Sequence, residues 1–406
     1  MGLNSILLIA GILGCCSADS SMDYDQRSSI GQSPTGTYLE GLGDGYATLD
    51  ETCENTLSST YLDRFVTPMF RDSATVDDVV YLVDGSLLWA VSIEDPENPE
   101  RLSLTRLPGH SLSIEVGPPG QLLVAAGEAG LLLVNIHDPE SPTIDVQLTL
   151  PGTALDLVLT GQQTYVAMGS EGLAIVDLAD RTKPELVSMV DIPGFANAVD
   201  AEGTMAYVAA CTALSIIDAS QPGSPELLGT YWVPEGHAKE IDVVGNEVFV
   251  AGGEALFAFE ASDPKNVMWK GYYADPDAPG FYVNAVVVQE GVAYIAAGDE
   301  SVRAVDVAEL GGAATYLPQI DEGEPPTLDD PNGLPDASMG TVSILSGDPI
   351  NVGLNGDLLL VLGNFRWVGE RLLRIVDIST PGAMVDVGIY EQPNQTLGLD
   401  GLEGMV

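Results

Sequence analysis

Short apolar runs, each closed by a polar residue and a turn, recur along this chain at a nearly fixed interval. Leu87 to Ile93 runs into Glu94-Asp95-Pro96, and Leu131 to Ile136 into His137-Asp138-Pro139. Leu173-Ala174-Ile175-Val176-Asp177, Leu214 to Asp218 and Leu256 to Glu260 repeat the text, with weaker copies at Val302 to Asp306 and Leu373 to Asp377. The polar anchors at 92, 135, 177, 218 and 260 are 43, 42, 41 and 42 residues apart, and the next steps, to 306 and 377, are 46 and 71. A period near 40 with several short strands per unit predicts an all-β protein, a β-propeller of four-stranded blades.

One unit shows the parse. Ala154 to Leu159, Thr164 to Met168, Leu173 to Leu178 and Leu186 to Ile192 read as strands a to d, separated by glycines and the Asp180 to Pro184 turn. The first unit offers b (Val79 to Val83), c (Leu87 to Ile93) and d (Leu102 to Leu107) without a clear strand a. The last closes with a strand near Val385 to Tyr390, and Thr396 to Gly401 beyond it reads as a solitary strand a. Seven c strands predict seven blades, the ring closed by residues 395 to 402 joining the first blade and hiding its edge. Six and eight blades stay open, because the first and sixth units are degraded.

Gly172 to Asp177, the Pro-containing turn after it, Pro193-Gly194-Phe195-Ala196 and the strand Tyr207-Val208-Ala209 together resemble the LVIVD repeat of bacterial and archaeal surface proteins. The resemblance covers roughly residues 80 to 400 and implies a propeller. It implies no activity and no catalytic residues.

Charge narrows the partners. With 14 Lys and Arg against 60 Asp and Glu, the net charge is -46, which disfavours nucleic acid and direct docking on anionic lipid. Residues 1–14 read as a lipoprotein-type signal: Ile6 to Leu13 is apolar but too short to span a bilayer, and Ile12-Leu13-Gly14-Cys15 resembles the bacterial lipobox. Cys15 is then the lipidated residue, although no Lys or Arg precedes the apolar core. Cys16 beside it does not resemble an inner-membrane retention signal, which points to the outer membrane, on its periplasmic or surface face. Residues 15–60 read as a flexible acidic tether, and 61–406 as the propeller with an acidic insertion at 321–340. Four cysteines are too few for a disulfide scaffold; a Cys53–Cys211 bridge and free thiols both stay open.

Chemistry could sit in three places. The c-to-d turns, being short and alike, read as structural. The opposite face varies more, as binding faces of repeat proteins do. Matching Pro-Gly or Glu-Gly pairs puts His110, Thr153, Phe195, His237 and Phe281 at one equivalent position near the central channel, with Tyr282 beside them. Arg366 and Trp367 lie in a long b-to-c hairpin of the last unit, with Arg371 and Arg374 nearby. Strand a carries Glu115, Asp200 and Asp242 at one position, with Asp156 and Glu240 two residues earlier in the frame. Those carboxylates either face channel water or hold a hard cation, calcium being the one such ligands suit; no other cofactor is expected.

Nucleophile-elbow, zinc-helix and phosphate-loop motifs are all missing from the sequence. The expectation is a lipid-anchored, monomeric envelope scaffold that binds a protein or glycan without catalysis. The alternative is a propeller hydrolase or lyase with a metal at the channel mouth, held by His110, His237 and carboxylates.

Overall fold

The computed structural model describes residues 29–33, 36–40, 69–233, 238–275, 281–298, 301–310, 315–316, 338–343, 348–364 and 371–392. The chain divides into Met1–Thr67 and Pro68–Val406. The first unit contains a hairpin, Ser29–Ser33 paired with Gly36–Glu40, inside the stretch expected to be a tether.

The second unit is a ring of seven antiparallel blades, as the period predicts. In blade 3, strands Asp156–Thr160, Gln163–Ala167, Leu173–Asp177 and Glu185–Val190 run from the axis outward, within two residues of the predicted bounds. Inner strands of successive blades are neighbours all the way round. They are Asp72–Val76, Ser113–Val116, Asp156–Thr160, Ala196–Glu202, Glu240–Val244, Val283–Gln289 and Asp348–Asn355, the last lying beside the first.

Burial explains the sequence pattern. Strands b and c are covered on both faces by adjacent blades, so they read as unbroken apolar runs; Leu131 to Val134 are all 0% exposed. The outermost strands alternate with solvent, as Thr143–Leu148 does. Seven apolar clusters result, each shared by two consecutive blades. Complete burial of one such Leu is worth about 1.5–3 kcal/mol, so the interfaces carry the stability. Every c–d pairing has a register shift at the same place, for example Ile175/Val176 and Ile375/Val376. One extra residue there adds twist to each blade and fans the sheets around the axis.

The polar anchor of each repeat caps its own turn. Asp177, Asp218, Asp306 and Asp377 accept a hydrogen bond through Oδ1 from the backbone N–H two residues on, at 2.7 to 2.9 Å. Asn135 and Glu260 do the same. The turns also clamp the ring. The Pro139 and Pro222 carbonyls accept from Ser103 Oγ and Ser188 Oγ of the preceding blade at 2.7 and 2.6 Å, and the Pro264 carbonyl accepts from Tyr231 Oη at 2.9 Å. This gives the turns the structural role expected of them.

Two boundaries differ from expectation. The inner strand of blade 1 is Asp72–Val76, paired with the long bent strand Val79–Ser92. That place was assigned to residues 395–402, which lie outside the described residues. Asp-Ser-Ala-Thr-Val carries few apolar positions, so the pattern of apolar runs does not mark it. The expected insertion interrupts blade 6 between its c and d strands, and its last residues, from Ser338, already belong to strand d, Ser338–Ser343. A fifth short strand, Thr315–Tyr316, adds to the outer edge of blade 5.

Among the described residues, ring closure rests chiefly on packing: Phe70, Trp89 and Ile93 of blade 1 share a cluster with Leu362, Leu373 and Tyr390 of blade 7, and Asn351 adds hydrogen bonds across the seam. Gly388 lies so close to the turn of blade 1 that a Cβ there would overlap the Pro96 carbonyl oxygen. Gly388→Ala should lower the stability of the ring by about 1–3 kcal/mol in urea unfolding. Gly223→Ala, whose Cβ would meet nothing nearer than Val187 Cγ1 at 4.0 Å, serves as the control. Equal stability of the two variants would show that blade 7 does not close on blade 1 in this way.

Candidate functional site

Six carboxylates converge on the axis from the inner strands of five blades. Cross-strand register puts Asp72, Asp156 and Glu240 on one level, opposite Val83, Ala167 and Ala251. Glu115, Asp200 and Asp242 lie one step further along, opposite Leu123, Tyr207 and Phe249. Each keeps some surface open to the axial space while protein surrounds its other sides. At the same levels blades 6 and 7 present Ala285, Val287, Asn351 and Gly353, without charge.

Four of the six stitch adjacent blades. Asp72 Oδ2 accepts from Ile114 N at 2.8 Å, Asp156 Oδ2 from Val199 N at 2.8 Å, Asp200 Oδ2 from Val243 N at 2.6 Å and Asp242 Oδ2 from Val288 N at 2.7 Å. Asparagines add further ties: Asn197 Nδ2 donates to the Ala238 carbonyl, Asn284 Nδ2 to the Pro349 carbonyl, and Asn351 Nδ2 to the Arg71 carbonyl and Asp72 Oδ1. Glu115 and Glu240 make no such tie among the described residues; each bonds to the N–H of its own chain neighbour, Val116 or Ile241.

Burial dominates the electrostatics and raises every one of these acids. Asp72 and Asp242 rise to about 6, Asp200 to about 7 and Glu115 to about 8. Asp156 is raised and Glu240 well above its ordinary value, again through burial first. Mutual repulsion follows: Glu115 feels Asp72, Asp156 and Asp200, and Glu240 feels Asp156, Asp72 and Asp200. Groups on blades that do not touch interact only because they point at a common centre. Among the described residues, no group of three or more His, Cys, Asp or Glu is disposed to hold a metal ion.

The mouth of the channel, on the face of the d-to-a and b-to-c connections, carries a second set. Lys239 Nζ stands 4.9 Å from the centre of the Tyr282 ring and 3.4 Å from Asn284 Oδ1. The Phe195 ring covers Gly169, where a Cβ would come within 2.8 Å of Phe195 Cζ. His110 sits at the end of the outer strand of blade 1, held below its ordinary pKa by burial first and then by Arg71.

The LVIVD repeat family matches residues 151–192, 193–233 and 357–392, which hold blades 3 and 4 and most of blade 7. The chain carries LVIVD repeats. No curated protein matches it. Among solved structures, a functionally unknown protein from Desulfotomaculum acetoxidans is 15% identical with a TM-score of 0.56, over 79% of this chain and all of that one. U3-55K is 10% identical with a TM-score of 0.54, over 72% of this chain and 88% of that one. The computationally designed Ika8 protein is 9% identical with a TM-score of 0.53, over 80% and 87%. At such identities the likeness is one of fold.

The blades sort the expected site residues. Glu115, Asp200 and Asp242 do share one level, and Asp156 and Glu240 share another. Asp72 joins them and was missed together with its strand; an acid two residues from Ala74, the counterpart of Glu115, was the available signal. Phe195 and Tyr282 are the half-buried aromatics of the mouth. Phe281 is not at the equivalent position: Val283 bonds to Gly253 as Ala196 bonds to Gly169, so Tyr282 matches Phe195. Phe281, 7% exposed, packs edge-on against Tyr273 and under the Arg303 guanidinium, which is ion-paired with Asp275. Arg374 is likewise spent inside its blade, ion-paired with Asp386. Cys15, Cys53, His237, Arg366 and Trp367 lie outside the described residues. Cys211, one half of the bridge that the sequence left open, is buried with a left-handed φ of 51°.

Asp200→Ala leaves the Val243 and Ala201 N–H groups without their acceptor, and should cost about 1–3 kcal/mol in urea unfolding at neutral pH. Glu115→Ala, which breaks no inter-blade bond, should cost clearly less. The reverse order would deny the stitching role of the axial aspartates.

Proposed function

We propose that this chain is a lipid-anchored envelope scaffold whose working face is the channel mouth around Phe195, Lys239 and Tyr282. One observation carries the reading. The opposite face is committed to holding the ring together, because its turns bond to themselves and to the blade before them. The mouth keeps half-buried rings, a lysine and amides beside an open axial space. Aromatic side chains with adjacent polar groups anchor recognition of proteins and of sugar faces. With a net charge of -46, a local cation at the mouth also gives an acidic or hydroxyl-rich ligand somewhere to dock. A protein or glycan of the cell surface fits this chemistry, and no step of catalysis is assigned. The lipobox-like Cys15 supports the anchor and the outer-membrane location.

Both halves are testable. Cys15→Ser should abolish fatty-acid labelling and move the protein from the detergent phase to the aqueous phase in detergent partitioning. Unchanged partitioning would remove the anchor. A glycan array and envelope-protein pull-down with the wild-type chain should yield a ligand whose affinity drops about tenfold or more in Phe195→Ala or Lys239→Ala, at unchanged Tm. Binding indifferent to both variants would place the working surface elsewhere.

A further inference from the structure

The axial carboxylates divide the labour in an unusual way. Asp72, Asp156, Asp200 and Asp242 hold neighbouring inner strands together through backbone N–H groups. Glu115 and Glu240 add charge at the same levels and bond only along their own strands. Among the described residues, no Lys or Arg is among the groups that set the charge state of Glu115 or Glu240. Lys239 is turned toward Tyr282 and Asn284, and Arg71 has Asp84 and His110 for its charged neighbours. Ser113 bonds to Asp72 and Asp156, Asn351 reaches Asp72, and the remaining groups at these levels carry no charge.

We propose that the six axial carboxylates form a proton-operated latch, in which protons held at the centre let the aspartates tie adjacent blades, and loss of those protons loosens the inner strands. An ionised aspartate does gain a stronger bond from its N–H donor. Against that gain stand the burial of all six acids and the convergence of Glu115 and Glu240 on three other acids each. Burial, the first cause at every one of the six, outweighs the bonds and sets the direction upward, with repulsion adding to it at Glu115 and Glu240. The folded ring holds protons that the unfolded chain has already released, so ring stability falls as pH rises. The window opens near the ordinary carboxylate values of 3.8 and 4.5 and runs through about 8, where Glu115 ionises, with Glu240 also raised well above its ordinary value. The seven apolar interfaces do not titrate, so loosening is confined to the axis. An exported chain meets the pH of its surroundings directly, which would make the width of the channel respond to it.

Backbone hydrogen exchange of the full chain at about pH 5.5 and pH 8.5, in EDTA and corrected for intrinsic rates, tests the latch. Peptides covering Ile114, Val199, Val243 and Val288 should lose about tenfold more protection at the higher pH than peptides of the outermost strands. Glu115→Gln with Glu240→Gln removes charge but no inter-blade tie, and should restore most of the protection at pH 8.5. If the double variant does not fold, Glu115→Gln alone carries the same comparison. Equal protection at both pH values, a loss spread evenly over inner and outer strands, or a variant with the wild-type pH response would overturn the latch. So would recovery at pH 8.5 with millimolar calcium, which would make the ring a cation site instead.

Discussion

Everything in this fold depends on each blade having both faces covered by its neighbours. A sheet whose b and c strands are apolar on both sides has no stable existence alone, so the units must pack face to face until the last covers the first. The clusters between successive blades include the one that joins blade 7 to blade 1, where Phe70 and Tyr390 stack. No strand exchange is needed at that seam, because blade 1 supplies its own inner strand and the fit is tight enough that only glycine suits position 388.

That closure forces a cost at the centre. Seven inner strands brought side by side leave unpaired backbone groups along a narrow axis, and the protein meets them with side chains from the adjacent blade. Aspartates accept from N–H groups and asparagines donate to carbonyls, so both kinds of orphan are served. Concentrating acids in a confined space raises their affinity for protons. The same aspartates are thus structural ties and acids that burial lifts toward neutral pH. Structure and regulation share one set of atoms here, whereas recognition is assigned to separate residues at the mouth.

Much of this was legible in one dimension. The anchor residues from 92 to 377 marked the blades, and capping of each turn by its own anchor is the physical reason that a polar residue must stand there. The level shared by Glu115, Asp200 and Asp242 followed from the repeat frame. Residues that break the frame were harder. Phe281 and Tyr282 are adjacent, and the period of two in a strand sends one into the core and leaves the other at the surface, so a shift of one residue exchanges their roles. Asp72 was hidden because its strand has little apolar text, and its burial comes from the blades on either side.

The sequence by itself determined the blade and the order of its strands, because burial on both faces, turn chemistry and spacing are local and repeat, while it left the count between six and eight. It also determined that acids would crowd the inner strands. Only the tertiary structure decided which segment completes blade 1, which aromatic faces outward and which arginines are spent in internal ion pairs. It alone also revealed that acids distant in the chain meet at one axis. Those outcomes turn on contacts between residues distant in the chain: about forty residues apart between neighbouring blades, at opposite ends of the ring at the closing seam, and 28 and 12 residues apart for the ion pairs of Arg303 and Arg374.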